Sequence, residues 1–273
     1  MNASNEKISV IIPTYNQADL LKKAIQSVLN QTYKNWELII INNYSTDNTE
    51  KIVENFEDQR IKIFNFKNNG VIAASRNYGL NKSTGKYISF LDSDDFWVKE
   101  KMEKTFKFLK KDFNFIFHNE IWLWPCGFKK KINYGPLEKF KFKEMLLKGN
   151  TVSTSSVTIE KNFLKQLKGF NESKKMIGTE DYDLWLRISL SENCKAYFIK
   201  DYLGYYVIHS NNNSKNFWRQ LSSEFHVIDK NMYFLKQTFL NKIKMIIRKT
   251  KAILGSILKL NNNIYKLSIK IRK

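Results

Sequence analysis

The sequence has too few cysteines for a disulfide framework. Its two cysteines are Cys126 and Cys194, and no metal-type Cys/His spacing is present. No stretch reaches the ~20 apolar residues that a membrane span needs. Residues 1–7 are polar and lead straight into a strand pattern, so no signal peptide is expected. These absences predict a cytoplasmic protein.

Acidic residues are missing from the last part of the chain. No Asp or Glu follows Asp229, whereas twelve Lys and Arg residues lie from Lys230 to Lys273 and carry +12 of the formal net charge of +20. A basic tail is typical of nucleic-acid binding or of attachment to an anionic membrane. The alternative is the coding bias of an AT-rich genome, which enriches Lys but does not explain the missing acids.

Strand and helix patterns alternate through residues 7–91. At 273 residues the chain can bury one substantial core, or one domain with an extension. Strand patterns cover residues 8–12, 36–41, 61–66 and 87–91, and helix patterns cover 20–29 and 73–81, with one further helix after N-cap candidates at 45–47. This alternation predicts an α/β fold, a mainly parallel Rossmann-like sheet with helices on both faces.

Polar clusters follow each of these strands. They are Pro13-Thr14-Tyr15-Asn16, Asn42-Asn43, Asn68-Asn69-Gly70 and Asp92-Ser93-Asp94-Asp95. Ligands of parallel α/β sheets bind beyond the carboxyl ends of the strands. The four clusters are therefore expected to meet in one crevice.

The acidic cluster at residues 92–95 is the most informative of the four. Carboxylates so close together repel each other, and oxygen ligands select a hard divalent cation such as Mg²⁺ or Mn²⁺, which usually serves a phosphate. The plain alternative is a strand that stops in a solvated acidic turn.

Residues after about 98 follow a different pattern. A helix is expected over 98–110, strands over 113–117 and 152–159, and helices over 161–167 and 182–190. Beyond about 215 the chain becomes helical, aromatic and basic. We therefore expect a domain of residues 1–214, followed by a basic amphipathic extension of residues 215–273.

Five motifs occur in the order known from one enzyme family. They are Pro13-Thr14-Tyr15-Asn16, Asn68-Asn69-Gly70 leading to Ser75-Arg76-Asn77-Tyr78-Gly79, Phe90 to Asp95, Lys168 to Glu172, and Thr179 to Arg187. Together they resemble a family 2 glycosyltransferase of the GT-A fold, of the type that builds bacterial cell-surface polysaccharide or lipopolysaccharide. The resemblance covers roughly residues 7–214, and it implies a nucleotide half at about 1–97 and an acceptor half at about 98–214.

The resemblance implies a set of contacts with a nucleotide-sugar donor. Pro13 and Tyr15 would flank the base, and Asn43 would replace a carboxylate usual at this position. Because an amide oxygen still accepts the imide N–H, a UDP-sugar is expected, with thymidine as the rival base. Arg76 would reach the base or phosphates, or would instead form a structural ion pair. The expected donor-binding residues are Pro13, Thr14, Tyr15, Asn16, Asn43, Asn68, Arg76, Asp92 and Ser93.

The resemblance also implies a metal site and a catalytic base. Asp94 of the Asp92-x-Asp94 (DxD) motif would ligate Mn²⁺ or Mg²⁺, and His209 would contact the diphosphate or complete the metal shell. Asp181 is the expected general base, with its neighbour Glu180 as the alternative. No second carboxylate is clearly placed as a covalent nucleophile, so inversion is expected.

The expected reaction is the transfer of a hexose to a sugar acceptor, and the composition of the tail favours a lipid-linked acceptor. Apolar residues of the tail recur at near-helical spacing between Lys and Arg, which favours peripheral attachment to the inner face of the cytoplasmic membrane. The competing hypothesis for the tail is homo-oligomerisation. Competing functions are a sugar nucleotidyltransferase, which normally has a Gly-rich phosphate loop after the first strand, and a basic nucleic-acid-binding protein, which the acidic cluster disfavours.

Overall fold

A computed structural model describes residues 6–209, 217–235, 241, 243–250 and 253. Its strands are β1 (Ile8–Thr14), β2 (Trp36–Asn42), β3 (Ile61–Asn65), β4 (Tyr87–Phe90), β5 (Phe96–Trp97), β6 (Phe115–Leu123), β7 (Lys129–Ile132), β8 (Thr158–Glu160) and β9 (Ala196–Val207). Its helices are α1 (Ala18–Leu29), α2 (Thr49–Glu54), α3 (Ile72–Lys82), α4 (Lys101–Leu109), α5 (Phe142–Lys148), α6 (Lys161–Gln166), α7 (Glu180–Leu190) and α8 (Phe217–Asn231). The strands form one sheet in the order β3-β2-β1-β4-β8-β6-β9-β5, with β7 paired to β6.

The first half of the sheet is parallel, as the sequence predicts. Strands β3, β2, β1 and β4 run in the same direction, and Val10 of β1 lies opposite Leu38 of β2. Because side chains alternate along a strand, Val10 packs into a core with α1 and α4, whereas its neighbour Ile11 packs into a second core with α3 and α7. The predicted α/β fold with helices on both faces is confirmed.

The second half of the sheet is mixed and departs from the predicted elements. The strand predicted over residues 152–159 is wrong, because Thr154–Ser156 form a 3₁₀ turn and only Thr158–Glu160 pair with β4. Strand β6 extends to Leu123, well beyond the predicted end at residue 117. The long strand β9, which runs parallel to β6 with an irregular register near His118, was not predicted.

The described part of the extension packs against the rest of the chain. Val227 and Ile228 of α8 are fully buried in the core that contains α7. On α7, the fully buried Asp183 accepts a hydrogen bond of 2.7 Å from Lys230 Nζ. Apolar packing and this ion pair together fix α8 against α7.

Several apolar residues beyond α8 are exposed. Residues 243–250 are helical, and Ile246 and Ile247 are 65% and 48% exposed. Phe239, Ile257 and Leu258, which belong to the predicted amphipathic pattern, lie outside the described residues. Among the helices described, none is both long and apolar enough to cross a membrane.

Candidate active site

One cleft of about 1450 Å³ opens at the carboxyl ends of β1, β2 and β4. All of the predicted site residues lie on the wall of this cleft, although they are distant in sequence. The sheet brings them together because parallel strands end on one edge. They are Pro13, Thr14, Tyr15, Asn16, Asn43, Asn68, Arg76, Asp92, Ser93, Asp94, Glu180, Asp181 and His209.

Asparagine side chains connect the loops at the first three strand ends. Asn16 has a positive φ of 50°, and its Oδ1 accepts a hydrogen bond of 2.7 Å from the backbone N–H of Thr46. Asn43 Oδ1 accepts a 2.9 Å bond from the backbone N–H of Asn68. Asn42 is fully buried and bonded to Asn65, so Asn43 is the asparagine of this pair that lines the cleft.

The acidic turn after β4 divides its carboxylates between the cleft and the interior. Asp94 Oδ2 lies 2.8 Å from Nε2 of His209, which follows β9. Asp95 is buried, and its carboxylate accepts bonds of 2.6 Å from the Ser155 hydroxyl and 3.0 Å from the Val207 backbone N–H. Burial, followed by the charge of Asp94, raises the pKa of Asp95 well above its ordinary value. Asp95 therefore joins the acidic turn to the end of β9, two residues before His209.

Asp94 and His209 fit a divalent cation that is held together with a substrate. Within the described ranges, no group of three or more His, Cys, Asp or Glu side chains has a geometry that would hold a metal. Two protein ligands suit an ion that keeps several waters and also binds substrate phosphates. The carboxylate of Asp94 suits Mg²⁺ and Mn²⁺ alike.

Arg76 bridges the two acidic motifs of the cleft. It is 3% exposed, and its guanidinium donates to Asp92 Oδ1 at 2.7 Å and to Glu180 Oε1 at 2.8 Å. Burial opposes the charge of Arg76, but Asp92 and Glu180 nevertheless hold its pKa above the ordinary value. The structure thus contains the ion pair that was the alternative for this residue, whereas a contact between Arg76 and the nucleotide stays a prediction.

Asp181 and Glu180 open α7 and have different surroundings. Glu180 is engaged through both oxygens, one with Arg76 and the other with the backbone N–H of Gly178 at 2.7 Å. Asp181 Oδ2 accepts a 2.9 Å bond from Nδ2 of Asn150. Burial, followed by the negative charge of Glu180, raises the pKa of Asp181 to about 7. A carboxyl group with this pKa is suited to exchange protons at neutral pH.

Several cleft residues were not predicted from the sequence. They come from the end of α5 and the loop after it, from α8 and from the helical residues 243–250: Lys148, Asn150, Thr151, Arg219, Glu224 and Arg248. The absence of acidic residues shows that the tail is basic, but it does not predict where the basic side chains lie in the fold. Trp122 also lines the cleft, next to Tyr206, whereas Trp185 is fully buried in the core.

Comparisons with known proteins identify the class to which this fold and cleft belong. The family model Glycosyl transferase family 2 matches residues 9–158. TuaG of Bacillus subtilis, a glycosyltransferase named for teichuronic acid biosynthesis, is 31% identical over 244 residues, which cover 85% of this chain and 92% of TuaG. WfaP of Escherichia coli, named a UDP-Glc:α-D-GlcNAc-diphosphoundecaprenol β-1,3-glucosyltransferase, is 33% identical over 232 residues, which cover 82% of this chain and 86% of WfaP.

A solved structure agrees with the fold. The mannosyltransferase PcManGT of Pyrobaculum calidifontis, in complex with GDP-Man and Mn²⁺, superposes with a TM-score of 0.62 at 15% identity and covers 97% of this chain and 81% of its own. The chain therefore belongs to glycosyl transferase family 2. It is a glycosyltransferase with the GT-A fold.

Proposed function

We propose that this protein is an inverting, divalent-cation-dependent hexosyltransferase. It moves glucose or galactose, or an N-acetyl form of either, from a UDP-sugar to a lipid-linked sugar acceptor in bacterial surface polysaccharide synthesis. The observation that carries the proposal is that the Asp94–His209 pair and Asp181 line the same cleft. The name of WfaP supports both the lipid-linked acceptor and the UDP donor, and that of TuaG supports a role in polysaccharide synthesis.

The donor would lie over the ends of the first strands. Pro13, Tyr15, Asn43 and Asn68 would surround the base. Asp94 and His209 would hold Mn²⁺ or Mg²⁺, which when bound neutralises the charge that develops on the departing diphosphate. The complex of PcManGT with GDP-Man and Mn²⁺ supports this choice of cofactor.

The acceptor hydroxyl would react with the help of Asp181. Oδ2 of the ionised Asp181 takes the hydroxyl proton while the acceptor oxygen forms a bond to the anomeric carbon from the side opposite the diphosphate. The bond between the anomeric carbon and the phosphate oxygen breaks, and its electron pair leaves with UDP. Arg76 keeps Asp92 and Glu180 in position on either side of this reaction, and Asn150 orients Asp181.

Peripheral attachment to the inner face of the cytoplasmic membrane completes the proposal. An enzyme that modifies a lipid-linked acceptor must work at the membrane surface. The exposed Ile246 and Ile247, next to the basic Lys244 and Lys249, provide an apolar face flanked by positive charge.

Transfer assays with and without metal test the proposal. We expect wild-type protein to transfer from a UDP-hexose with Mn²⁺ and to lose this activity in EDTA. Asp94→Ala should lower kcat/KM on the order of 100-fold or more, because charge neutralisation at the leaving group is lost. Asp201→Ala, which removes an exposed carboxylate from β9, is the matched control and should have wild-type activity.

Two results would refute parts of the proposal. Full activity of Asp94→Ala, or of the wild type in EDTA, would exclude the metal role of Asp94. A product that keeps the anomeric configuration of the donor, measured by NMR, would exclude inversion. A panel of UDP-, dTDP- and GDP-hexoses in the same assay identifies the base.

A further inference from the structure

The extension contributes directly to the wall of the cleft beside Asp181. Asn150 donates to Asp181, and its neighbour Gly149 contacts the guanidinium of Arg248 from the helical residues 243–250. A Cβ atom at Gly149 would lie only 2.7 Å from Nη2 of Arg248, and Gly149 has a φ of +104° that disfavours other residues. Arg248 is therefore fitted against the loop that holds the proposed base.

Three basic residues of α5 and the extension line this part of the cleft. They are Arg219, Lys148, which also pairs with Glu144, and Arg248, which pairs with Glu224. The side chain of Arg248 is only 11% exposed. A guanidinium such as that of Arg248, which lies at a substrate cleft and is paired with the single carboxylate of Glu224, is suited to bind a negatively charged ligand.

Two buried polar atoms on this wall have no hydrogen-bond partner. They are Nε of Arg248 and Oγ1 of Thr151. Both residues line the cleft, and Thr151 follows Asn150 directly. Buried polar atoms in native proteins are nearly always paired, so this N–H and this hydroxyl are open to a polar partner from outside the chain.

We propose that Arg248 and Arg219, with Lys148 and Thr151, bind the phosphate or diphosphate that links the acceptor sugar to its lipid. This inference rests on the proposed function, since it assigns a position to one part of that acceptor. The extension is then a part of the acceptor site as well as a membrane contact. Planar guanidinium groups bind phosphate oxygens in pairs, which fixes the orientation of the attached sugar toward Asp181.

Two soluble acceptors that share one sugar test the assignment. One carries the sugar on a diphosphate with a short alkyl chain, and the other is a phosphate-free alkyl glycoside of the same sugar. Without any membrane present, we expect Arg248→Gln and Arg219→Gln each to raise KM for the diphosphate acceptor about tenfold or more. KM for the glycoside and for the UDP-sugar should stay within about twofold of the wild type. The glycoside has no phosphate, and the phosphates of the UDP-sugar bind elsewhere in the cleft in this proposal.

Two further variants separate this role from a structural one. Arg248→Lys keeps the charge and should recover part of the affinity for the diphosphate acceptor. Arg60→Gln, which removes an arginine paired with Asp58 outside the cleft, should leave KM for both acceptors unchanged. Thermal unfolding identifies any variant that fails to fold. If Arg248→Gln fails to fold, the KM values of Arg219→Gln test the assignment.

The alternative source of phosphate is the headgroup of membrane lipids. If the variants lose binding to phosphatidylglycerol vesicles while KM for the soluble diphosphate acceptor is unchanged, the assignment is overturned. Equal loss with both acceptors would also overturn it, because it would indicate damage to the cleft. If the wild type transfers to neither acceptor, the proposed function fails, which is a different outcome from the failure of this site.

Discussion

Two adjacent carboxylates at the start of α7 differ in their partners, Glu180 being held in an ion pair and Asp181 being the proposed base. Glu180 is held by Arg76 and by the backbone of Gly178, so its charge is committed to an ion pair. Asp181 accepts hydrogen bonds from two neutral side chains, Asn150 at 2.9 Å and Thr154 at 3.5 Å, and burial raises its pKa to about 7. Titratable neighbours with different surroundings commonly have different roles in catalysis.

The raised pKa of Asp181 predicts an acidic limb in the pH profile. Since the base must be ionised, kcat should fall as the pH drops below about 7. The bond from Asn150 favours the ionised form and lowers this pKa, so Asn150→Ala should move the midpoint of the limb to higher pH. Steady-state kinetics between about pH 5 and pH 9 measure the shift. An unchanged midpoint in Asn150→Ala would mean that another group titrates.

At the scale of elements, the end of β9 is hydrogen-bonded to a loop that lies far away in sequence. Asp95 accepts hydrogen bonds from the Val207 backbone and from the Ser155 hydroxyl, and His209 follows Val207 by two residues. Asp95, the buried neighbour of Asp94, therefore helps to hold the end of β9 near Asp94. Residues that orient metal ligands in this way typically change metal affinity about 10- to 100-fold when they are replaced.

Asp95→Ala should weaken activation by Mn²⁺ by about tenfold, because β9 loses its anchor beside the proposed metal site. The measurement is the Mn²⁺ concentration that gives half-maximal transfer. Asp95→Asn keeps an oxygen for the Val207 N–H, so its effect should be smaller. The same Mn²⁺ requirement in the wild type and both variants would exclude this role for Asp95.

The sequence predicts the parallel half of the sheet better than the mixed half. Strands β1, β2 and β4 are short apolar runs that end in polar clusters, and this pattern is sufficient to place the side of the cleft that is proposed to bind the donor. Strand β9 carries Lys200 and Asp201 in its middle and is shifted in register against β6, so its pattern is not periodic. Arg248 could not be placed at all from sequence, because its contact with Gly149 joins residues that are far apart along the chain.

At the scale of the whole molecule, charge and apolar exposure lie on the same segment. The last residues carry no acid after Asp229, and Ile243, Ile246, Ile247 and Ile253 are all exposed in the described part of the tail. Basic residues near an anionic surface contribute about 1 kcal/mol each to membrane binding. Exposed apolar side chains add hydrophobic insertion to this attraction.

A double substitution, Ile246→Asp with Ile247→Asp, should reduce binding to phosphatidylglycerol vesicles by about tenfold or more and leave transfer to a soluble acceptor intact. Vesicle flotation measures the binding. Leu190→Asp, at an apolar residue of α7 that is 39% exposed, is the matched control. If the double variant instead converts a dimer to a monomer in analytical ultracentrifugation, the face is an oligomer interface and the membrane assignment is wrong.

The fit of Arg248 against Gly149 has a consequence for engineering. A chimaera that receives only the C-terminal segment of a relative would place a foreign side chain against an unchanged loop. Transplanting that segment together with residues 148–151 keeps the two surfaces matched. Acceptor preference should therefore be exchangeable between relatives only when both pieces are moved as a pair.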